Sequence, residues 1–405
     1  MTAIAREARY DDGRARRNAL ILALSQALYS SATVIMFTTA GLVGVQIAPS
    51  KAWATLPISA FVIGTALSTV PASLLMRVIG RRPGFMLGAL TGCIGGLVGV
   101  YAIYHRNFVL FVLATVLQGV FQAFSLHSRF AAADMSSPAF RPKAISWVMA
   151  GGVAAAIFGT LLVIATTDLL APVTFAGCFA AMAVLCAAAM GVLGFLDIPH
   201  LRNRSRTREG RPLTAILQQR RFVVAVVAAT VSYGLMNLVM TASPIAMGNC
   251  GFGYADASWA IQWHVLAMFV PSFFTGHLIA RFGAERVCGA GLILLGLGAA
   301  VAISGIAFAN FAICLILLGL GWNFGFIGGT TLLTYCYEPA EAGKVQAFND
   351  FAVFATVACG SLLSGQLLDR LGWASVNIAV FPPLILTLVL MTWLALKPNH
   401  QAAIS

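Results

Sequence analysis

The sequence predicts an all-α integral membrane protein, with twelve transmembrane helices in two pseudo-symmetric six-helix bundles. Three observations predict it: the composition, a series of long apolar runs, and the distribution of basic residues. Of 405 residues, 60% are hydrophobic and only 9% are charged, whereas a soluble domain carries about 25% charged residues. Lipid can cover so apolar a surface and water cannot, so we expect the chain to lie in a bilayer.

Twelve apolar runs are long enough to cross a bilayer, whose hydrocarbon core needs about 20 residues per helix. They span residues 18–47, 53–76, 84–104, 108–132, 144–167, 173–196, 222–247, 257–280, 287–308, 311–335, 345–368 and 373–396. The longest connection is basic and polar, and it separates the sixth run from the seventh. It predicts three units: a first bundle at 1–196, a cytoplasmic linker at 197–221 and a second bundle at 222–405.

The basic residues are distributed unequally between the two sets of loops. Nearly all of the 25 Lys and Arg residues fall in the N-terminal segment and in loops on the same side, whereas Lys51, Arg106 and Arg370 fall on the other side. Cytoplasmic loops carry the excess of Lys and Arg. We therefore expect a bacterial inner-membrane protein with both termini in the cytoplasm. We also expect a monomer. The net charge of +12 does not indicate a nucleic-acid partner, because it lies in short loops rather than on a folded basic domain.

The sequence contains no motif for a metal, a cofactor or an enzyme. Its eight cysteines are scattered singly and form no CxxC pair. No His-Glu-x-x-His, Gly-x-Ser-x-Gly or Gly-rich phosphate loop occurs, and no soluble domain could hold ATP. We expect no cofactor and no catalytic residues.

Two loops at equivalent positions in the two halves have similar sequences. They read Ser73-Leu-Leu-Met-Arg77-Val-Ile-Gly80-Arg81-Arg82 and Gly276-His-Leu-Ile-Ala280-Arg281-Phe-Gly283-Ala-Glu285-Arg286. A glycine beside basic residues allows a tight turn and puts cations at helix ends. Six helices plus six, with a repeated loop, indicate a duplicated transporter of a small-molecule substrate. A channel is the alternative, which the duplication disfavours.

The first of these loops resembles the signature of the major facilitator superfamily, Gly-x-Leu-Ala-Asp-Arg-x-Gly-Arg-Arg. Gly80, Arg81 and Arg82 match it, whereas Ser73 replaces its first Gly and Arg77 replaces its Asp. A closer match, Gly365-Gln-Leu-Leu-Asp369-Arg370-Leu-Gly372, ends the eleventh run. The resemblance implies alternating access about a central site, with the loop arginines as a gate. A purely topological role for Arg81 and Arg82 stays open.

Polar residues inside apolar runs mark either a transport pathway or hydrogen bonds between helices. In the fourth run, Gln118, Gln122, Ser125 and Arg129 lie on one helical face. The family resemblance implies that the first, fourth, seventh and tenth helices line the cavity, and the tenth also carries Trp322. We predict substrate contacts from Gln26, Tyr29, Gln118, Gln122, Tyr233, Asn237, Trp263 and Asn323. A polar seam between helices is the alternative.

Proton coupling requires an ionisable group that can change charge inside the membrane. Asp350 is the one acid clearly within an apolar run, and His264 is the other candidate. We predict coupling or gating from Arg77, Arg81, Arg82, Arg129, His264 and Asp350, with protons as the candidate ion. The alternatives are a structural ion pair of Asp350 with Lys344 or Arg129, and a neutral, hydrogen-bonded His264.

The predicted cavity is uncharged and aromatic, which favours a neutral, flat, hydrogen-bonding solute. A phosphate or dicarboxylate would need Arg or Lys pairs at mid-membrane. The stretches 37–42 and 56–67 resemble a bacterial subgroup that includes riboflavin importers. We therefore predict uptake, with riboflavin as the candidate solute. The alternative is a proton-coupled multidrug efflux antiporter, although Thr115 stands where the resemblance implies that those antiporters carry an Arg.

Overall fold

A computed structural model describes residues 12–137, 140–198, 211–338 and 341–396. All regular structure within these ranges is helical. Residues 1–11, 199–210 and 397–405 lie outside the described part, and so does the side chain of Arg77. The described part therefore includes all twelve predicted apolar runs and both ends of the predicted linker.

Twelve membrane helices, α1 to α12, follow one another along the chain. In the first half they are α1 Asp12–Ile47, α2 Leu56–Ile79, α3 Arg81–Tyr104, α4 Phe108–Ser125, α5 Arg141–Thr166 and α6 Ala176–Leu193. In the second half they are α7 Arg220–Asn249, α8 Tyr254–Phe269 with Ser272–Phe282, α9 Ala284–Ser304 and α10 Phe308–Thr334. The segment Ala342–Ile378 contains α11 and, after a break at Gly372, the start of α12, which continues through Phe381–Leu396.

The predicted number of crossings is confirmed. Within the described residues, ten helical stretches are long and apolar enough to span a membrane, and the bent pair that forms α8 adds an eleventh. One of the ten, Lys344–Leu394, is 51 residues long. Since one crossing takes about 20 residues, this stretch accounts for both α11 and α12.

The helix ends define two faces of the bundle. We call one face the basic end, because Arg14, Arg81, Arg211 and Arg281 lie there. The face with the loops at residues 48–55, 105–107, 168–175, 250–253 and 305–307 is the opposite end.

Small residues set the distances between neighbouring helices. A Cβ atom added at Gly88 of α3 would meet the Phe124 side chain of α4 at 2.6 Å, and one at Gly96 would meet Ala183 of α6 at 2.8 Å. In the second half, Gly291 of α9 lies directly against the backbone of α10 at Gly325. Helices in lipid associate by such close packing, so the glycine repeats hold each half together.

The repeated loops have the same backbone conformation in both halves. Gly80 between α2 and α3 has φ 97°, and Gly283 between α8 and α9 has φ 86°. Gly372, in the closer match to the family signature, has φ 79° between α11 and α12. With ψ values of 160°, 152° and −178°, all three lie in a region that is essentially restricted to glycine. The second glycine of the signature is therefore required by the turn itself.

Two helices bend where the sequence indicates a continuous run. The predicted run 108–132 divides into α4 and a short helix, Ser128–Met135. The predicted run 257–280 divides at Pro271, where α8 bends by 43° between Phe269 and Ser272. Proline causes the second bend, because it lacks an N–H group and its ring clashes with the preceding turn.

Asn323 of α10 provides the hydrogen bonds that the bend in α8 requires. Its Nδ2 donates to the Met268 carbonyl at 2.6 Å and to the Ser272 hydroxyl at 2.6 Å. Its Oδ1 accepts a hydrogen bond from the Thr275 hydroxyl at 2.6 Å. Broken membrane helices need partners of this kind, because lipid offers none. The amide is fully buried and both of its N–H groups are engaged within the second half.

The C-terminal end of the linker, from Arg211 onward, is bound to the second half. The backbone N–H and Nε of Arg211 each donate to Glu341 Oε1 at 2.8 Å, and Nη2 donates to Oε2 at 2.8 Å. The short helix Leu213–Leu217 follows, and its Ile216 is buried against a cluster that includes Phe222 and Leu332. The hydrogen bonds from Arg211 lower the pKa of Glu341 to about 2.

We predict that Asn323→Ala destabilises the protein more than Asn237→Ala does. The first change removes three short hydrogen bonds at the bend, and a buried group left unpaired costs about 1–3 kcal/mol. The second removes a single hydrogen bond, 3.3 Å long, to the Val357 carbonyl. Thermal unfolding midpoints in detergent measure the difference. Equal losses would contradict the assigned role of Asn323.

We predict that Glu341→Gln releases the linker helix Leu213–Leu217, and that the wild-type contact is independent of pH from about 5 to 8. A carboxyl whose pKa is lowered on folding stabilises above its ordinary value near 4.3. That contribution is lost only as the pH falls through about 2. Hydrogen exchange of the linker amides is the measurement.

Glu285→Gln is the matched control for this prediction. Glu285 pairs with Arg221 of α7 at the same end. Faster exchange in both variants would show that the linker responds to general loss of charge.

Candidate functional site

The two halves are in close contact near the opposite end. A Cβ atom at Gly41 of α1 would lie 3.2 Å from Ile245 Cδ1 of α7, and Gly365 of α11 lies against the Thr55 side chain. The rings of Phe175 and Tyr254 pack edge to face with their centroids 4.8 Å apart. These contacts join the helix pairs at the end away from the basic loops, so the interface is closed there.

Burial along the central helices changes from one end to the other. In α7, every residue from Gly234 to Met247 is buried, and this stretch runs toward the opposite end. Toward the basic end the burial of α7 is interrupted, since Val223 is 44% exposed. Among the described residues, the halves thus pack tightly at the opposite end.

The second half presents a cluster of aromatic rings, which we call the aromatic wall: Phe269, Tyr233, Trp322, Phe326 and Phe354. Tyr233 of α7 contacts Trp322, Phe326 and Phe354, with centroids 5.4, 5.2 and 6.4 Å away. Trp322 and Phe326 are one turn apart on α10 and stack at 5.5 Å with 11° between their planes. Phe269 extends the wall to α8, 6.3 Å from Trp322. Four helices thus form one aromatic surface.

The first half presents amides and hydroxyls, which we call the polar wall: Gln26, Tyr29, Gln122, Ser125 and Ser128. Gln26 Oε1 accepts hydrogen bonds from Ser125 at 3.2 Å and from Ser128 at 3.0 Å. Gln26 Nε2 donates to Ser30 at 3.0 Å. Tyr29 packs edge to face on Phe121 of α4, with centroids 4.9 Å apart. These contacts fix the polar face of α1 against that of α4.

The polar wall and the aromatic wall meet between α1 and α7. Tyr29 and Tyr233 lie within electrostatic range of each other across the interface. Phe269 also reaches the first half, because a Cβ atom at Gly152 of α5 would touch its ring at 3.3 Å. The two walls therefore approach each other between α1 and α7.

Two buried polar atoms of the walls have no hydrogen-bond partner among the described residues: Gln122 Oε1 and Trp322 Nε1. The Tyr29 hydroxyl has the Thr33 side chain as its neighbour. Buried polar groups are nearly always paired, and an unpaired one costs about 1–3 kcal/mol. One amide oxygen of the first half and one N–H group of the second half therefore remain to be satisfied. A polar ligand between the walls could satisfy them.

Other predicted contacts are occupied within single halves. Gln118 Nε2 donates to the Gly92 carbonyl of α3 at 2.7 Å, and Asn237 Nδ2 donates to the Val357 carbonyl of α11. His264 is fully buried, and its Nδ1 lies 2.7 Å from the Leu315 carbonyl, so the neutral ring with a protonated Nδ1 fits the site. Trp263 is 50% exposed, outside the aromatic wall. Gln118, Asn237 and His264 therefore belong to polar seams between helices.

Two opposite charges stand toward the basic end of the interface. Arg129, just after α4, and Asp350, on α11, are both exposed and lie within electrostatic range of each other. Asn349 Nδ2 donates to Asp350 Oδ1 at 3.2 Å. Arg81 is partly buried and Arg82 is exposed in the turn between α2 and α3. A first-half cation thus faces a second-half acid across the interface.

Three members of the aromatic wall, Phe269, Phe326 and Phe354, are absent from the sequence-based prediction. The chain has 27 Phe residues, and in an apolar helix each of them is also an ordinary packing residue. The spacing of Trp322 and Phe326 is the one signal for a shared face. Phe269 and Phe354 lie on separate helices, and only the tertiary structure brings Phe269 to Trp322 and Phe354 to Tyr233.

Comparison with known proteins identifies the family of this chain. The model of the Major Facilitator Superfamily matches residues 20–253 and 225–404. The riboflavin transporter RfnT of Brucella anthropi is 46% identical over 395 residues, which cover 97% of this chain and 99% of that protein. The uncharacterized MFS-type transporter YdeG of Bacillus subtilis is 29% identical, covering 87% of this chain and 86% of its own length.

Solved structures have the same fold at low sequence identity. The crystal structure of the nucleoside transporter NupG matches with a TM-score of 0.67 at 13% identity, covering 95% of this chain and 100% of that one. The POT family transporter PepTSo matches with a TM-score of 0.73 at 13% identity, covering 94% and 97%. The chain belongs to the major facilitator superfamily and is a secondary transporter, not an enzyme.

Proposed function

We propose that this transporter takes up riboflavin across the bacterial inner membrane by alternating access, as a monomer and with protons as the coupling ion. One observation carries the substrate: the 46% identity to a riboflavin transporter, which covers 97% of this chain and 99% of that protein. The match extends through both halves, so it covers the helices that contribute to the two walls.

The chemistry of the walls supports this substrate. Riboflavin is uncharged and combines a flat heteroaromatic ring system with a polyhydroxylated chain. Aromatic rings stack on flat ring systems, and amide and phenol groups bind hydroxyl groups. A site of this composition favours a neutral solute over a multiply charged one.

The orientation of the closed end follows from the basic residues. If the basic end faces the cytoplasm, as the distribution of Arg and Lys predicts, the interface is closed on the outside. A rocking of the halves would close the basic end and bring Arg129 and Asp350 together. Their attraction would stabilise the outward-facing state, whether or not a proton moves.

Multidrug efflux fits this chain less well. Thr115 stands where the family resemblance implies an Arg in proton-linked drug antiporters. Its hydroxyl donates to the Val112 carbonyl of the same helix at 2.8 Å. The side chain is therefore used locally and lies fully buried.

Uptake of labelled riboflavin tests the proposed function. Cells or proteoliposomes that contain the transporter should accumulate the label, and unlabelled riboflavin should compete. The same vesicles without the protein are the control. Uptake of labelled nucleosides or drugs in place of riboflavin would refute the assigned substrate.

We predict that Asp350→Asn lowers uptake and flattens its pH dependence between about 5 and 8. Removing the charge abolishes the attraction to Arg129 and any change of charge on protonation. Asp369→Asn, an exposed acid at the other end of the same helix, is the matched control. If Asp350→Asn keeps the wild-type pH profile, Asp350 is structural. The protein would then be a facilitator, or transport would be coupled through His264.

We predict that both termini and the linker are reached only from the cytoplasm. Epitope tags at the two termini and within 199–210 should bind antibody only in permeabilised cells. The basic loops retain their side of the membrane because of their Arg and Lys residues. A signal from intact cells at any of the three sites would refute the proposed orientation.

A further inference from the structure

The interface between the halves separates two kinds of chemistry. The aromatic wall comes from α7, α8, α10 and α11, all in the second half. The polar wall comes from α1 and α4, both in the first half. A ligand with one flat aromatic part and one hydroxylated part can satisfy both walls in a single orientation.

We propose that the transporter binds its substrate with the flat heteroaromatic ring on the aromatic wall of the second half and the polyol chain on Gln122 and Tyr29 of the first half. This inference rests on the proposed function and specifies how that site recognises its ligand. The second half would then select the ring of the ligand, and the first half would select its polyol chain.

The polar atoms of the first half support the placement of the ligand's polyol chain. Tyr29 is 5% exposed and its hydroxyl lies beside the Thr33 side chain, whereas Gln122 Oε1, one turn beyond Gln118 on α4, has no described partner. A hydroxyl group both donates and accepts, so a polyol can pair with a phenol and an amide oxygen together. Gln26 is already satisfied by three serines, and it holds the wall in position.

The ring contacts support the placement of the heteroaromatic part. Tyr233 packs edge to face with both Trp322 and Phe326, and such groups of rings offer stacking surface together with polar edges. Trp322 Nε1 is buried without a described partner, so it can donate to an acceptor atom at the edge of a heteroaromatic ring. A purely hydrocarbon ring would leave that N–H unpaired.

The placement of charge predicts which relatives of the substrate are excluded. Neither wall contains a Lys or Arg side chain, and Arg129, near Tyr233, also faces Asp350. A phosphate on the end of the polyol chain would lie against the neutral polar wall of the first half. Burying that charge without a paired cation is costly, so the phosphorylated ligand should bind poorly.

Equilibrium binding to the purified full-length transporter tests the orientation. The probes are riboflavin, lumiflavin, which has a methyl group in place of the polyol, and flavin mononucleotide. Gln122→Ala should weaken riboflavin binding about 5- to 100-fold, as expected for one lost hydrogen bond with a buried partner, and leave lumiflavin binding unchanged. Trp322→Leu should weaken both by a similar factor. Flavin mononucleotide should bind at least about tenfold more weakly than riboflavin.

Gln118→Ala is the matched control, because Gln118 lies one turn away on the same helix and binds the Gly92 carbonyl. It should leave the preference for riboflavin over lumiflavin unchanged, even if it lowers stability. Tyr29→Phe tests the same wall if Gln122→Ala fails to fold. Equal loss of riboflavin and lumiflavin binding in a folded polar-wall variant would overturn the orientation while riboflavin transport stands. Failure of the wild type to bind riboflavin would refute the proposed function itself.

Discussion

Lipid cannot accept or donate hydrogen bonds, and most of the polar chemistry of this transporter follows from that constraint. Each hydroxyl, amide or interrupted backbone group within the membrane must find a partner inside the protein. Most threonines and serines donate to a carbonyl one turn earlier in their own helix, as Thr38 does to Val34. Asn323 serves the bend of α8 in the same way but across two helices. Gln122 Oε1 and Trp322 Nε1 are among the described buried atoms that lack such a partner, and they lie on the two walls.

The same constraint explains why the fold could be predicted from the sequence. Apolar runs of sufficient length must cross the bilayer, and their number and order fix twelve helices in two sets of six. The glycine repeats predict close helix packing, as Gly88 and Gly96 show. The similar loops around Gly80 and Gly283 reveal the duplication, because only glycine adopts the backbone angles of that turn. These signals are local, so one sequence is enough to detect them.

The site was less predictable because polar residues in membrane helices have two uses. Gln118 and Gln122 occupy the same face of α4 one turn apart, yet one binds a neighbouring helix and the other has an unpaired oxygen. Pro271 is visible in the sequence, but the residue that satisfies the bend, Asn323, lies on another helix. Phe269 and Phe354 carry no distinguishing pattern at all. Such assignments depend on which helices become neighbours, and spacing along one helix does not contain that information.

The contact between Gly365 and Thr55 also has a mechanical consequence. Asp350 lies on the same helix, α11, fifteen residues away, which at 1.5 Å per residue is a lever arm of about 22 Å. Each degree of tilt of α11 about the glycine would displace the carboxylate by about 0.4 Å on this arm. A pivot at one end thus converts a small rotation into several ångströms of travel at the other. Because Gly365 has no side chain, α11 can approach Thr55 closely, and this contact would be the pivot. The length of the helix would set how far the carboxylate moves.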